Sequence, residues 1–508
     1  MSGFLSTRGN QIVDESGATV RLTGVNWDGF ETPNMSPTGL WARNYRHMLE
    51  QMRDAGFNNV RLPFSGDIIS ASPHTSGISL TLNPDLAGLT PLQIMDKVIA
   101  YAGEIGLRVT LDYHRREAGY GAEPDGAWSS VTHSQDEWIA NWATLAERYA
   151  GNKTVIGADL FNEPGGDWGT WSTAAEKAGA AIQAKNPDWL VFVQGNMVHN
   201  GDWYWIGGNL QGAGADPVQL PLANKVVYAP HDYPPSVVDV PFLRGIDQKT
   251  LQDLFQKNWG YIYEKNIAPV MIGEFGSRYE AAGDFPWLKT FYNYIQGDLD
   301  GNGVQGGRPG DKGMGWTIWT WGPLSGDTGG IVSSDWWTLN QAKLDDLRPL
   351  TGGLLPTSSA VASASAANKV EFTITLPQNS VWDTVYYFKT ADGTAKAGSD
   401  YVAKTGVIHI PNGQNTAHVS VEVIDDHVQE GTEDFYLEIF APWAPTQVLY
   451  RAVGSILDDD QPILPVCNIP LPSYATAGAS AALPPDLLPQ GGTHVNDLSA
   501  SHGLGWVL

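Results

Sequence analysis

The sequence predicts an α/β protein: a (β/α)8 TIM barrel with a C-terminal immunoglobulin-like β-sandwich. Three observations predict it. Through roughly the first 350 residues, eight short apolar runs alternate with stretches of helical periodicity. After Gly353 a Ser/Ala-rich, uncharged stretch interrupts that pattern. From Lys369 the chain turns to period-two alternation, as in Val370-Glu371-Phe372-Thr373-Ile374-Thr375-Leu376.

In chain order, residues 4–20 read as a hairpin that turns at Asp14-Glu15-Ser16-Gly17. Strands are expected at Thr19–Trp27, Asn59–Phe64, Arg108–His114, Val155–Glu163, Leu190–Gly195, Val226–Tyr233, Val270–Phe275 and Gly315–Trp321. Helices are expected at Asn44–Ala55, Pro91–Ile105, Gln135–Tyr149, Thr173–Lys185, Lys249–Lys265, Trp287–Tyr294 and Asn340–Leu347. The Gly/Trp-rich stretch Gly201–Gln219 gives the weakest helical signal. The division that follows is 1–352 for the barrel, 353–368 for a linker, 369–461 for the sandwich and 462–508 for a Pro/Ala/Gly/Ser-rich low-complexity tail.

Composition narrows the partners. A formal net charge of -25 repels nucleic acid and anionic membranes, and suits a neutral polymer substrate. With Cys467 as the single cysteine, no intrachain disulfide forms. No apolar run approaches the roughly 18 residues of a membrane helix. The start, Met1 to Asn10, carries no charged-then-apolar leader, which leaves three expectations open: a leader already removed, export by another route, or a protein that stays inside.

Asn162-Glu163-Pro164 closes the apolar run Val155–Phe161, and Glu274 closes Pro269–Gly273 in the same way. In a (β/α)8 barrel the C-terminal strand ends form the active-site mouth. Two strands thus deliver one glutamate each to one place, which is what glycoside hydrolysis requires: one carboxyl protonates the leaving oxygen, and the other attacks or activates water. Arg61, His114, Asn162, His231, Tyr233 and Trp319 converge on the same mouth from strands two, three, four, six and eight. The bland alternative, polar groups that merely cap strands, weighs little for the glutamates and more for the others. For His47, His133 and His199 it prevails.

The blocks Gly24–Glu31, Arg61-Leu62-Pro63-Phe64, Leu160–Pro164, Ala229–Tyr233, Gly273-Glu274-Phe275-Gly276, Trp319–Pro323 and Ser325–Gly330 occur in order. Together they resemble the endoglucanase branch of glycoside hydrolase family 5, the retaining cellulases. The resemblance implies Glu163 as general acid/base and Glu274 as nucleophile. It also implies Asn162 on the neighbouring sugar hydroxyl, Arg61 and Tyr233 as supports of Glu274, His114 and His231 as hydroxyl ligands or orienters, and Trp319 as a stacking floor. The implied activity is a retaining endo-β-1,4-glucanase acting on cellulose or a related β-glucan, without a cofactor for catalysis. Mannanase, xyloglucanase and mixed-linkage glucanase are alternatives on the same barrel, and a non-catalytic carbohydrate-binding or adhesion protein is the alternative of another class.

Flat aromatic rings stack on the C–H faces of sugars, so Trp27, Trp41, Trp168, Trp203, Trp205 and Trp259, in or near predicted strand-end loops, are either cleft-lining residues or core packing. Trp41 and Trp205 are the substrate-binding candidates, and Trp259, in a helical pattern, is expected in the core. Ile206 stands where the resembling enzymes often carry another Trp. Asp298–Gly303 has the opening spacing of a calcium loop, but Pro309 occupies the twelfth position, so a solvated loop is expected.

Residues 369–460 resemble the Calx-β domain through Thr390–Ala395, Gly398–Tyr401, Ile424–Phe435 and Ile456–Asp460. That resemblance implies a calcium site drawn from Asp400, Asp425, Asp426, Glu430, Glu433, Asp458 and Asp459, since Ca²⁺ takes oxygen ligands. No acidic residue stands in Ser363–Lys369, where one is usual, so a metal-free spacer is an equal expectation. The protein is expected to be secreted, monomeric and bound to neither nucleic acid nor membrane.

Overall fold

The structure, a computed structural model, describes residues 3–72, 76–237, 240–299, 313–351, 361–363, 369–375, 384–411, 414, 416–424, 431–441 and 444–457. Eight parallel strands form the barrel: β1 (Thr23–Asn26), β2 (Asn59–Ser65), β3 (Arg108–Arg115), β4 (Val155–Asp159), β5 (Leu190–Val193), β6 (Val226–Tyr228), β7 (Met271–Ile272) and β8 (Gly315–Ile318). Their order is β6-β5-β4-β3-β2-β1-β8-β7. The parallel bridges Tyr228↔Val270 and His231↔Glu274 join β6 to β7 and close the ring. Every expected strand is present, several of them shorter than the apolar run that announced them. β4 is the instructive case. Leu160 still donates its N–H to Phe192 O, but the chain leaves the strand direction before Glu163.

The helices follow from local chemistry. Helix α1 spans Tyr45–Asp54 and is capped by Asn44. Helix α2, Pro91–Glu104, begins with a reciprocal capping box between Thr90 and Gln93 and with proline in its first turn. Helix α3, Gln135–Arg148, is capped by Ser134. Its Trp138 and Trp142, one turn apart, both donate their indole N–H to the Leu160 carbonyl, at 3.0 and 2.9 Å. Helix α4, Trp168–Lys185, is capped by Asp167, and its Trp171 donates to the Gln194 carbonyl at 2.9 Å. Buried indoles on two helices therefore fix the backbone just before the strand-four glutamate and just after β5.

The structure revises three expectations. The N-terminal hairpin, Ser6–Arg8 with Gln11–Val13, turns at Gly9-Asn10, where Gly9 has φ 57. Asp14–Gly17 forms a second turn that leads to the antiparallel bridge Val13↔Thr19. The helix expected over Lys249–Lys265 is α5 (Gln248–Phe255), a π-helical turn (Gln256–Gly260) and α6 (Tyr261–Glu264). Between β5 and β6 the described residues hold a two-residue-per-strand hairpin at Val198–Trp203 and a 3-10 turn at Gln211–Gly214, with no α-helix. Helix α7 spans Asp284–Ile295, and α8 spans Gln341–Thr351.

The second fold unit comprises β9 (Val361–Ser363), β10 (Lys369–Thr375), β11 (Thr384–Asp392), β12 (Thr405–Ile410), β13 (Thr416–Glu422), β14 (Glu433–Ala441) and β15 (Ala444–Leu457). One sheet runs β9-β15-β14-β11-β12, and the other pairs β10 with β13. Val370, Phe372, Ile374, Val419, Val421, Phe435, Leu437 and Ile439 fill the space between them. β9 lies inside the stretch read as a linker. It pairs in parallel with Ser455–Leu457, a backbone interaction that Val-Ala-Ser side chains do not announce. The tail 462–508 and the loop Asp300–Pro309 lie outside the described residues. No helix among the described residues is long and apolar enough to cross a membrane.

Candidate active site

At the C-terminal ends of the barrel strands, Arg61 of β2 is almost fully buried and engages five side chains. Nη1 donates to Glu274 Oε1 at 2.6 Å and to Asn26 Oδ1 at 2.8 Å. Nη2 donates to Asn162 Oδ1 at 3.1 Å, and Nε donates to Asp159 Oδ2 at 2.9 Å. Nη2 also stands 2.9 Å from Asp112 Oδ1, an ion pair too bent to count as a hydrogen bond. Burial favours loss of the Arg61 proton, but Asp112, Asp159 and Glu274 outweigh it and push the pKa up. One guanidinium does not neutralise three buried carboxylates. Burial accordingly pushes Asp112 and Asp159 up to about 7 each, against the pull of Arg61.

The two glutamates sit in different surroundings. Glu274 receives Arg61 on Oε1 and the Tyr233 hydroxyl on Oε2, the latter at 2.8 Å. Burial raises its pKa, while Arg61 and the Tyr233 hydrogen bond oppose the rise. Glu163 has His231 Nδ1 at 3.3 Å from Oε1. Burial, and then the charge of Glu274, push its pKa well up. Of the two carboxyls, Glu163 is therefore the one whose surroundings favour the protonated form more. One oxygen from each, together with His231, lies within 4.8 Å of the others.

Both histidines are neutral. Burial drives His114 down to about 3, and burial and then Arg61 drive His231 well down. His114 Nδ1 is 2.7 Å from Asp112 Oδ2, so the carboxylate holds the proton on Nδ1 and leaves Nε2 as the acceptor. Asn162 Nδ2 approaches that Nε2 at 3.5 Å, and the imidazole stacks on Trp319 with centroids 5.5 Å apart. His231 pairs with Glu274 across the β6–β7 bridge, and a Cβ at Gly273 would stand 2.8 Å from His231 Nε2. Glycine thus leaves room for the ring. Asp112-His114-Glu274 and Glu163-His231-Glu274 are the trios of the described residues whose donor atoms cluster closely enough to hold a cation.

Of the ten residues expected at the site, the fold brings eight together at the mouth; the other two, Trp41 and Trp205, divide. Trp41 is exposed (40%) and meets Trp336 edge-on. Trp205 is buried and packs on Tyr233 at 5.1 Å, so it backs the site rather than presenting an open face. Trp27, Trp168 and Trp259 are buried, while Trp203 and Trp337 are exposed. Trp259 is in the core as expected. The π-turn aims its N–H at Asp232 Oδ2, 3.0 Å away, where the Tyr204 hydroxyl also donates at 2.6 Å.

Asp112, Asp159, Gln194 and Asn26 were not singled out from the sequence. Their signal was available for the two aspartates: a charged residue in the middle of an apolar strand, in Leu111-Asp112-Tyr113 and Ala158-Asp159-Leu160. Of the calcium candidates, Asp400 accepts the Lys396 N–H at 2.6 Å and Glu433 opens β14. Asp425, Asp426, Glu430, Asp458 and Asp459 lie outside the described residues.

A closed parallel barrel with a buried, unequally held carboxyl pair at its C-terminal mouth defines a glycoside hydrolase. Residues 13–325 match the cellulase (glycosyl hydrolase family 5) profile, and residues 359–460 match the Calx-beta domain. The chain belongs to glycosyl hydrolase family 5. It is 40% identical over 381 residues to an endoglucanase of Paenibacillus polymyxa, an alignment covering 72% of this chain and 91% of that one. It is 38% identical to the major extracellular endoglucanase of Xanthomonas campestris pv. campestris, covering 67% of this chain and 70% of that one. Among solved structures, an endocellulase of Pyrococcus horikoshii in complex with cellotetraose superimposes with a TM-score of 0.62 at 35% identity, covering 69% of this chain and 99% of that one.

Proposed function

We propose that this chain is a retaining endo-β-1,4-glucanase that cleaves internal bonds of cellulose or a related β-glucan. The observation that carries the reading is the carboxyl pair: oxygens of Glu163 and Glu274 within 4.8 Å, one glutamate pushed toward its protonated form by burial and the other held by Arg61 and Tyr233. Retaining enzymes place their carboxyls about 5–5.5 Å apart, and inverting ones about 6.5–9.5 Å, to admit a water.

In the first step Glu163 gives its proton to the glycosidic oxygen. The C1–O bond breaks, and a Glu274 oxygen bonds to C1 as the leaving chain departs with that proton. Tyr233 and Arg61 keep Glu274 anionic and aimed until then. In the second step Glu163, now a carboxylate, takes a proton from water. The hydroxide oxygen bonds to C1, and Glu274 leaves as a carboxylate. Asn162 is fixed by Arg61 through Oδ1 and directs one N–H of Nδ2 to His114 Nε2, which leaves the second N–H for the sugar hydroxyl beside the reacting carbon. Trp319, stacked on His114, offers a flat floor under the ring. Exposed Trp41, Trp203 and Trp337 extend the aromatic surface beyond the mouth.

The endoglucanase relatives support the substrate class, and their sugar preference is the reason cellulose heads the choices over mannan or xyloglucan. Product anomers read by NMR on cello-oligosaccharides test the mechanism: the β-anomer forms first if the reading holds, and the α-anomer overturns it. Release of reducing ends from carboxymethylcellulose by wild type, with a loss of roughly 10³-fold or more in Glu274→Gln, tests the assignment. Equal inactivity of both would favour the carbohydrate-binding alternative. Secretion is part of the same reading, supported by the extracellular Xanthomonas relative. Recovery of the whole protein inside its own cells would refute it.

A further inference from the structure

Two buried side chains at the mouth have no part in the chemistry above: Asp159, the last residue of β4, and Gln194, the first residue beyond β5. Gln194 Oε1 accepts the backbone N–H of Glu163 at 2.8 Å. Gln194 Nε2 donates to both oxygens of Asp159, at 3.0 Å each. Asp159 Oδ2 also accepts Arg61 Nε, and Arg61 Nη1 donates to Glu274. Four hydrogen-bonded links thus run unbroken from the backbone of one glutamate to the carboxylate of the other.

The Glu163 end of this path is where control of direction is needed. Glu163 has φ 51, a left-handed backbone that a glutamate adopts only when its surroundings impose it. Its N–H is the group that Gln194 holds, so the amide sets the direction from which the carboxyl leaves the backbone. No other ordinary side chain of this length fits both neighbours. An amide accepts from the N–H and donates to the carboxylate at once, whereas a glutamate would oppose Asp159 and a methionine would leave the Glu163 N–H and an Asp159 oxygen without a partner.

We propose that Gln194 and Asp159 are positioning residues that tie the aim of Glu163 to the Arg61 clamp on Glu274. The inference rests on the roles assigned to the two glutamates above. It makes a specific demand on kinetics. Loosening Gln194 misaims the proton donor and leaves the nucleophile gripped by Arg61 and Tyr233. The damage then falls on substrates whose leaving group needs a proton and spares those whose leaving group does not.

The experiment compares kcat/KM for phenyl and 2,4-dinitrophenyl β-cellobiosides in wild type, Gln194→Met, Asp159→Asn and Glu163→Gln, each as the full chain. Gln194→Met is expected to lose roughly 10²-fold on the phenyl substrate and about threefold or less on the dinitrophenyl one. Azide is expected to raise its kcat on the latter, because an anion needs no general base to open the glycosyl-enzyme. Asp159→Asn keeps the shape of the path, shows the same leaving-group bias to a smaller extent, and serves alone if Gln194→Met does not fold. An equal loss on both substrates, or no loss, overturns the proposal and marks the pair as structural. A Glu163→Gln variant without leaving-group bias would instead overturn the assignment of Glu163, and this proposal with it.

Discussion

The barrel mouth and the interior of the sandwich bury opposite kinds of surface. Around Arg61 the barrel encloses Asp112, Asp159, Glu163, Glu274, His114 and His231. The sandwich interior is Val, Ile, Leu, Phe and Tyr, with Tyr401 stacked on Phe435 at 4.3 Å. Among its described residues Glu438 is the one buried charge, and it is paired with Arg451 and Lys389. Replacing a buried ion network by apolar side chains is often neutral or stabilising. The sandwich interior therefore shows what this chain buries where packing alone sets the choice. The barrel's retained charges mark where something else is at stake.

The sharpest way to break this contrast is Arg61→Met. It strands three carboxylates, so a loss of about 3–5 kcal/mol in stability is expected together with loss of activity. Urea unfolding of the full chain measures the first, and an unchanged midpoint would dissolve the contrast. Next comes Ile439→Ala in the sandwich, where a cavity should cost about 2–5 kcal/mol in the second unfolding step while kcat on soluble glucan stays the same. A fall in kcat with the barrel intact would show that the two regions share the work.

A subtler test uses pH. Burial pushes Asp232 up from 3.8 to about 7, against hydrogen bonds from Tyr204 and Trp259. Its folded form binds the proton more tightly than its unfolded form. The stability it contributes is thus full below about pH 4 and is lost as pH rises toward 7. Asp112 and Asp159 have the same sign. The melting temperature of the barrel should fall between pH 5 and pH 8, and Asp232→Asn should flatten that slope by on the order of 2–4 °C. The smallest expected effect is on the sandwich: calcium against chelator should raise its melting temperature if the Calx-β resemblance extends to the metal, and no shift removes the site.

The barrel was readable because parallel strands buried on both faces appear as continuous apolar runs, and because Arg61, Asn162, Glu163 and Glu274 interrupt or end those runs. The features that escaped have physical reasons. The strand at Val361–Ser363 is made by backbone pairing to Ser455–Leu457, which leaves no mark on Ser/Ala-rich composition. The π-turn at Gln256–Gly260 keeps a helical hydrophobic pattern while shifting its hydrogen bonds by one residue. Trp205 and Trp41 have the same side chain and differ only in what the fold lays over them. Gln194 was invisible because a glutamine after an apolar strand looks like any strand end until its two partners are known.

The left-handed backbone at Glu163 bears on how such a chain drifts when its activity is no longer needed. Asparagine and glycine occupy that conformation at little cost, and a glutamate pays about 1–2 kcal/mol to be there, beyond the penalty of an enclosed acid. Glu163→Asn should therefore be inert and at the same time melt higher than the parent. A gene copy released from selection would thus have a stabilising mutation open to it at the proposed proton donor itself. On this reading, selection for turnover is what keeps a glutamate in a backbone conformation that favours asparagine or glycine.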